Sequence, residues 1–412
     1  MPSEVPEGWK QTTLGAVADI TRGVSWRDEN ETNKTTAGAL PVLGIRNVQQ
    51  SLKLDDTVWL TGLSQRSVAS STVRRGDILM VGSNGNPARI GNSVRIDVAG
   101  VYLYASLLFG VRPDEAQADG EFLFHLIRST AVQKAISDTV QGSTGLANLK
   151  ITVLRDTRLL LPPLEEQRRI AEVLRSASAT CEASNRVVEK YGAVIQTEID
   201  SVVAELVNDP SIPKVHLGEV AMVKGGKRLP KGSQYSDDPT GFRYVRVTDW
   251  NDHEIEPARV QWIPSETAAA IRRYTISSAD LFISIAGSIG LVALVPAELD
   301  GAHLTENAAK IVLRDDQVID RNYLLLALMS GSLTDQIRQQ KGVGGGVPKL
   351  ALFRIEALEI PLPSIDRQRE IAASYRSLKA ARSISSQASK AAVRVFETLA
   401  ADLLSGRVRV PA

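Results

Sequence analysis

Apolar positions along the chain follow two regimes. Over roughly the first 150 residues of each half, short apolar runs alternate with turn clusters and read as strands joined by tight loops. Gly82-Ser83-Asn84-Gly85-Asn86-Pro87 and Ala286-Gly287-Ser288-Ile289-Gly290 are such clusters. A helical spacing appears from Glu121 to Ile136 and again from Asn322 to Ile337. Each globular stretch is followed by a longer pattern. Ile170, Leu174, Ala177, Cys181, Ser184, Val188, Tyr191 and Ile195 recur in steps of four and three, and Val202 and Leu206 continue the stripe. The second stripe is Ile371, Tyr375, Leu378, Ala381, Ile384, Ala388, Ala392, Val395, Leu399 and Leu403. A narrow stripe of this period predicts a coiled-coil seam. Each helix then holds about 40 residues and spans about 60 Å.

The two long patterns open alike. Leu160-Leu161-Pro162-Pro163-Leu164-Glu165-Glu166-Gln167 returns as Ile360-Pro361-Leu362-Pro363-Ser364-Ile365-Asp366-Arg367-Gln368. Pro163 suits a first helical turn, Glu165 and Glu166 suit the positive end of the helix dipole, and Ser364 is a candidate N-cap. Asn208-Asp209-Pro210 and Ser405-Gly406 are the stop signals.

Other stretches recur at the same distance. Leu14-Gly15-Ala16-Val17-Ala18 matches Leu217-Gly218-Glu219-Val220-Ala221, and Arg22-Gly23 falls where Gly225-Gly226 falls. Leu43-Gly44-Ile45-Arg46-Asn47 aligns in pattern with Tyr244-Val245-Arg246-Val247-Thr248, and Gly76-Asp77-Ile78-Leu79 with Ala279-Asp280-Leu281-Phe282. The chain is therefore a tandem duplication of one large α+β unit. Its expected domains are 1–160, 161–210, 211–362 and 363–412: globular domain, long helix, globular domain, long helix. The second helix buries its stripe most directly by running back along the first. The expectation is two similar α/β domains joined by two long antiparallel coiled-coil helices, a dumbbell with an approximate twofold axis.

Charge sharpens the pairing. Net charge over the 412 residues is +1. Residues 151–210 carry −3 and residues 351–412 carry +4, so the two helical segments favour each other. No apolar run approaches the roughly 20 residues of a membrane span. The start Met1-Pro2-Ser3-Glu4 does not read as a signal peptide, and the single cysteine, Cys181, suits a reducing cytoplasm.

No catalytic constellation stands out. His125, His216, His253 and His303 lack partners at metal-ligand spacing. The loops Gln141-Gly142-Ser143-Thr144-Gly145 and Lys341-Gly342-Val343-Gly344-Gly345-Gly346 lack the Gly-Lys-Ser/Thr ending of a phosphate-binding loop. Binding features are better. Lys224-Gly225-Gly226-Lys227-Arg228-Leu229-Pro230-Lys231 has four cations and no acid, with Arg22 and Arg27 in the matching loop. Arg46, Asn47 and Arg246 follow a strand in each half, Asn84 and Arg89 occupy a turn, and Lys341 opens the second glycine loop. Arg and Asn suit base edges and Lys suits phosphates, so cations repeated in matching loops point to double-stranded DNA. Two other readings remain: a nucleotide-binding enzyme that uses the glycine-rich loops, or a coiled-coil adaptor without DNA contact.

The chain resembles the specificity subunit of Type I restriction-modification systems. The resemblance rests on Trp9-Lys10-x-x-x-Leu14-Gly15, on Gly76-Asp77-Ile78-Leu79, and on Leu161-Pro162-Pro163-Leu164-Glu165-Glu166-Gln167-x-x-Ile170 with its second copy from Pro361 to Ile371. The second copy departs from it as Leu362-Pro363-Ser364-Ile365-Asp366-Arg367-Gln368, and Ala279 replaces the glycine before Asp280. The resemblance implies two target recognition domains that each read a few base pairs of a bipartite target. The helices would set the gap and dock two methyltransferase subunits, with two restriction subunits completing the complex. Leu164, Gln167, Ile170 and Leu174 on the first helix and Ile365, Gln368, Ile371 and Tyr375 on the second would serve docking and spacing. The subunit would be non-catalytic and bind no cofactor, S-adenosylmethionine belonging to the methyltransferase and ATP with Mg to the restriction subunit.

Overall fold

The computed structural model describes residues 5–143, 146–339 and 349–411. The chain divides into two compact units, Met1–Asn185 with Gln387–Ala412, and Arg186–Ser386. Each unit therefore combines one globular part with a portion of both long helices.

In the first unit, the antiparallel strands Ala18–Arg22, Leu108–Pro113, Ile78–Val81 and Ser93–Arg95 form a sheet in that order. Ile78–Val81 is buried at every position, which explains a continuous apolar run where a half-exposed strand would alternate. A second sheet orders Glu31–Thr32, Val58–Leu60, Leu40–Leu43 and Leu103–Tyr104, the last pair parallel. The second unit repeats the plan. Ala221–Gly225, Ala308–Leu313, Leu281–Ser284 and Val292–Leu294 head a six-stranded sheet, which the hairpin Trp250–Asn251 and Glu254–Ile255 extends. Gln261–Trp262, Arg243–Val245, Ala302–Leu304 and Thr275–Ile276 form its four-stranded partner.

The aspartates that open the buried strands serve the fold. Asp77 accepts the Arg74 N–H at 2.8 Å and pairs with Arg112 at 2.6 Å. Asp280 accepts the Ser277 N–H at 2.8 Å and pairs with Lys310 at 3.1 Å.

The long helices run Leu164–Asn208 and Ile365–Ser405. Pro163 stands just before the first, its carbonyl accepting the N–H groups of Glu166 and Gln167 at 2.9 and 3.0 Å. Ser364 caps the second through its Oγ, which accepts the Arg367 N–H. Gly406, at φ 74°, ends it with a left-handed residue. The helices pair antiparallel within each unit. In the first, Ile170 and Leu174 share a core with Leu399, Leu403 and Leu404, and Asn185 bonds Ser389. In the second, Ile195, Ile199 and Val203 share a core with Ile371, Tyr375 and Leu378.

The stripe expected on the first helix lies on its buried side, with Ala177, Cys181, Ser184, Val188 and Tyr191 half-buried. The second stripe is corrected. Ile384 and Val395 are 68% and 67% exposed. The buried side instead passes through Tyr375, Leu378, Arg382, Ser385, Ser389, Ala392, Phe396, Leu399 and Leu403, which keeps a strict four-three alternation. Packing geometry overrides local hydropathy here, and the middle of the seam is polar. Among the described residues, no helix is long and apolar enough to cross a membrane.

Candidate nucleic-acid interface

Each globular part carries one tight crossing beside its cationic loop. Gly23 passes the strand Leu103–Tyr104 so closely that a Cβ there would lie 2.2 Å from the Tyr104 carbonyl oxygen. Gly226 passes Ala302–Leu304 in the same way, 2.1 Å from the Thr305 oxygen. Only glycine fits either position. The next residues use the approach: Val24 N–H donates to Tyr104 O and Lys227 N–H to Leu304 O, both at 2.8 Å. The loop that follows is thereby anchored at one point in each unit.

In the second unit, several candidate cations gather around this anchor with aromatic rings. Lys227 Nζ lies 5.8 Å from the Tyr274 ring and the Arg246 guanidinium 5.5 Å from the Tyr235 ring. Arg228 is exposed and pairs with Glu306 at 2.6 Å. Tyr244 donates its hydroxyl to Lys227 O at 2.9 Å, and burial pushes its pKa up to about 12, so it stays a donor. Lys224 and Lys231 are exposed. In the first unit, Arg22 is exposed above the Phe109 ring at 5.0 Å, and exposed Arg27 lies 3.8 Å from Glu29. Exposed cations held in place over rings suit a polyanion such as the phosphate backbone of DNA.

Other candidates have fold duties. Asn47 is buried: its Oδ1 accepts the Gly44 N–H at 2.7 Å and its Nδ2 donates to Lys53 O and Asp55 O. Both its donors are used and the side chain is 1% exposed, out of reach of a base edge, so it is withdrawn as a reader. Asp249 plays the same part in the second unit, accepting the Arg246 N–H at 2.8 Å. Asn47 therefore corresponds to Asp249, and Gly44 to Arg246, one step away from the alignment read in the sequence. Arg46, which is exposed, and Arg246 are not equivalents. The Arg246 guanidinium is bound to buried Asp249 at 2.6 Å and to Arg259 O at 2.9 Å, which makes it a strut. Arg89, half-buried, ties its turn to Ile45 O and Val48 O. Asn84 accepts the Asn86 N–H at 2.8 Å and shapes its turn. Lys341 lies outside the described residues, as does the whole second glycine loop from residue 340 to 348.

The joints into the long helices are the most closely repeated geometry. The Gln167 Oε1 accepts the Asp119 N–H at 2.9 Å, and its Nε2 donates to Gln117 O and Pro162 O at 3.1 and 3.0 Å. The Gln368 Oε1 accepts the Asp320 N–H at 2.8 Å, and its Nε2 donates to Val318 O and Pro363 O at 3.0 and 2.9 Å. Asp119 and Asp320 in turn cap the next helices through Phe122 N and Tyr323 N. One amide thus satisfies three backbone groups and fixes where each long helix leaves its domain.

Comparison with known families decides the meaning of this duplicated unit. The model of the Type I restriction modification DNA specificity domain matches residues 6–189 and again residues 212–391. The chain belongs to the Type I restriction-modification specificity subunits. It is 24% identical to the Type I restriction enzyme EcoBI specificity subunit of Escherichia coli, over 95% of this chain and 84% of that one. It is 21% identical to the putative MjaX specificity subunit of Methanocaldococcus jannaschii, over 99% and 95%. A solved chain from work on assembly and conformational transition of the type I R-M system shares the fold, with a TM-score of 0.61 at 18% identity over 99% and 100% of the two chains.

In this specificity subunit the joint residues face inward. Gln167, Gln368, Ile170, Leu174 and Tyr375 are buried in their own units, so none of them presents a free side chain for docking. Leu164, Ile365 and Ile371 are half-buried. The exposed large apolar side chains on the long helices are Val187, Val194, Ile384 and Val395 among the described residues. Sequence reading missed the aromatic residues beside the candidate cations: Tyr235, Tyr274, Phe242, and Arg243 stacked 4.4 Å above Trp262. The signal was the crowding of rings between 235 and 274 in a chain with 5% aromatic residues.

Proposed function

We propose that this specificity subunit reads a bipartite DNA target, one half-site per globular part, with an unspecified gap set by the long helices. The observation that carries the reading is the repeated Gln167 and Gln368 lock, which joins a cation-bearing, glycine-anchored domain to a long helix in each half. A helix of 45 residues spans about 65 Å, enough for half-sites one to one and a half DNA turns apart at about 34–36 Å per turn. Because the cationic loops differ in sequence, the half-sites differ too.

In this reading the subunit does no chemistry. Arg22, Arg27 and Arg46 in one domain and Lys224, Lys227, Arg228 and Lys231 in the other supply phosphate and base contacts. Two methyltransferase subunits dock on the helices and bring S-adenosylmethionine, and two restriction subunits bring ATP and Mg. The complex works in the cytoplasm. Methylome sequencing tests the whole. The expected result is a two-part adenine-methylation motif that disappears when this chain is deleted. A host methylome unchanged by the deletion refutes it.

A further inference from the structure

In the second unit, a hairpin of the recognition domain is paired by charge to the second long helix. The hairpin Trp250–Ile255 turns at Asp252 and His253, with φ of 48° and 63°. A two-residue turn of this kind needs positive φ at both positions and normally takes Asn or Gly. Neither residue is glycine, so the backbone is strained. The strain is held from two sides. His253 Nδ1 lies 3.2 Å from Val292 O, and the Asp252 carboxylate receives Arg382 Nη1 at 2.8 and 2.6 Å. The next residue repeats the contact, Glu254 receiving Lys379 Nζ at 2.6 Å.

Arg382 belongs to the helix seam as well. A Cβ on Gly192 of the first helix would lie 3.7 Å from Arg382 Nε and Nη2. The guanidinium thus lies against a glycine in mid-helix, where glycine is unfavourable, while its tip holds the hairpin. Burial works against the charge on Asp252, and the hydrogen bond and charge of Arg382 outweigh it, so the carboxyl sits below the ordinary aspartate range. In the first unit the corresponding turn, Gln49-Gln50-Ser51, carries no acid. The Gln167 and Gln368 equivalence puts Ser178 and Cys181 where the second helix has Lys379 and Arg382.

We propose that Asp252, Glu254, Lys379 and Arg382 form a clasp that sets the angle of the second recognition domain on its helices, making them positioning residues for gap selection. The clasp rests on the proposed bipartite reading. It explains why a strained turn is kept at the tip of this hairpin, and why charged side chains lie on a helix seam.

Two measurements test it. In the full chain, Arg382→Gln should speed hydrogen exchange at the hairpin amides about two- to fivefold, with the first unit unaffected. Unchanged exchange at the hairpin overturns the clasp. In the complex assembled with methyltransferase subunits, Arg382→Glu should methylate duplexes whose gap differs by one base pair, and preference for the native gap should fall by about fivefold. Adding Asp252→Arg should restore the native preference, which a loss of folding alone would not allow. A single variant with the native preference, or a double variant without rescue, overturns the clasp. A wild-type complex with no bipartite preference refutes the functional reading instead, and the exchange measurement still decides the clasp.

Discussion

The side-chain carbonyl of Gln167 accepts the backbone N–H of Asp119 at 2.9 Å, across the joint between the first recognition domain and its helix. Gln167 is 1% exposed, so no water replaces the bond. Gln167→Ala should lower stability by about 2–4 kcal/mol, since it leaves buried backbone groups unpaired. Gln167→Glu should cost a similar amount, because a carboxylate cannot donate to Gln117 O and Pro162 O. Thermal unfolding of the full chain checks both. A loss below about 0.5 kcal/mol would mean that the lock is incidental.

The cations of the second domain should separate into two kinds. Lys227→Ala and Lys231→Ala should weaken DNA binding on all sequences and each reduce the salt slope by about one. Arg246→Ala should instead lower stability by about 3 kcal/mol, since it strands the fully buried Asp249. Binding isotherms at several salt concentrations, with melting curves for each variant, distinguish the two. Equal salt slopes for wild type and Lys227→Ala would remove Lys227 from the interface.

The tight crossings give a third expectation. Gly226→Ala would press a methyl group against the Thr305 carbonyl and should cost about 1–3 kcal/mol or more. Gly232→Ala, where a Cβ meets nothing within 4 Å but φ is 90°, should cost less. Equal melting temperatures for the two variants would contradict the crossing.

Acid should loosen the first unit through Glu121. Its carboxyl is held below the ordinary glutamate range, chiefly by His125, whose Nε2 lies 3.4 Å away, with Arg95 helping and burial opposing. A depressed folded pKa means that Glu121 contributes stability above its unfolded pKa and loses it as pH falls through the folded value. Glu121→Gln should therefore flatten the acid limb of the stability curve and leave it unchanged in shape above neutral pH. An identical acid limb in the variant would rule this out.

The proposed ruler role of the long helices can be tested by lengthening one of them. Inserting about four residues near Ser184, one turn or some 6 Å, should lengthen the unspecified gap by one or two base pairs. Methylation of a library of gap lengths reads the result, and an active complex with the original gap would end the ruler idea.

Much of this was legible in the sequence. The duplication showed because its landmarks, the glutamines and the aspartates before buried strands, each serve backbone groups and cannot drift freely. The long helices showed because a seam imposes a period. The second seam was misread in its middle since Arg382, Ser385 and Ser389 lie on it while apolar Ile384 and Val395 point outward. Asn47 looked like a base reader because its capping partners lie on a turn six to eight residues away. The rings escaped notice for a related reason: Tyr235 meets Arg246, and Lys227 meets Tyr274, across loops that only the fold brings together.

The Asn185 and Ser389 hydrogen bond has a meaning beyond holding two helices together. An all-apolar seam tolerates slippage by one heptad, since every layer resembles the next. Here a slide in either direction would set Asn185 against Phe396 or Arg382 and forfeit its partner. The polar middle gives up some adhesion and excludes every alignment but one. In the ruler proposed above, a pair of helices free to slip would measure nothing, and this polar pair is what would give it a single graduation.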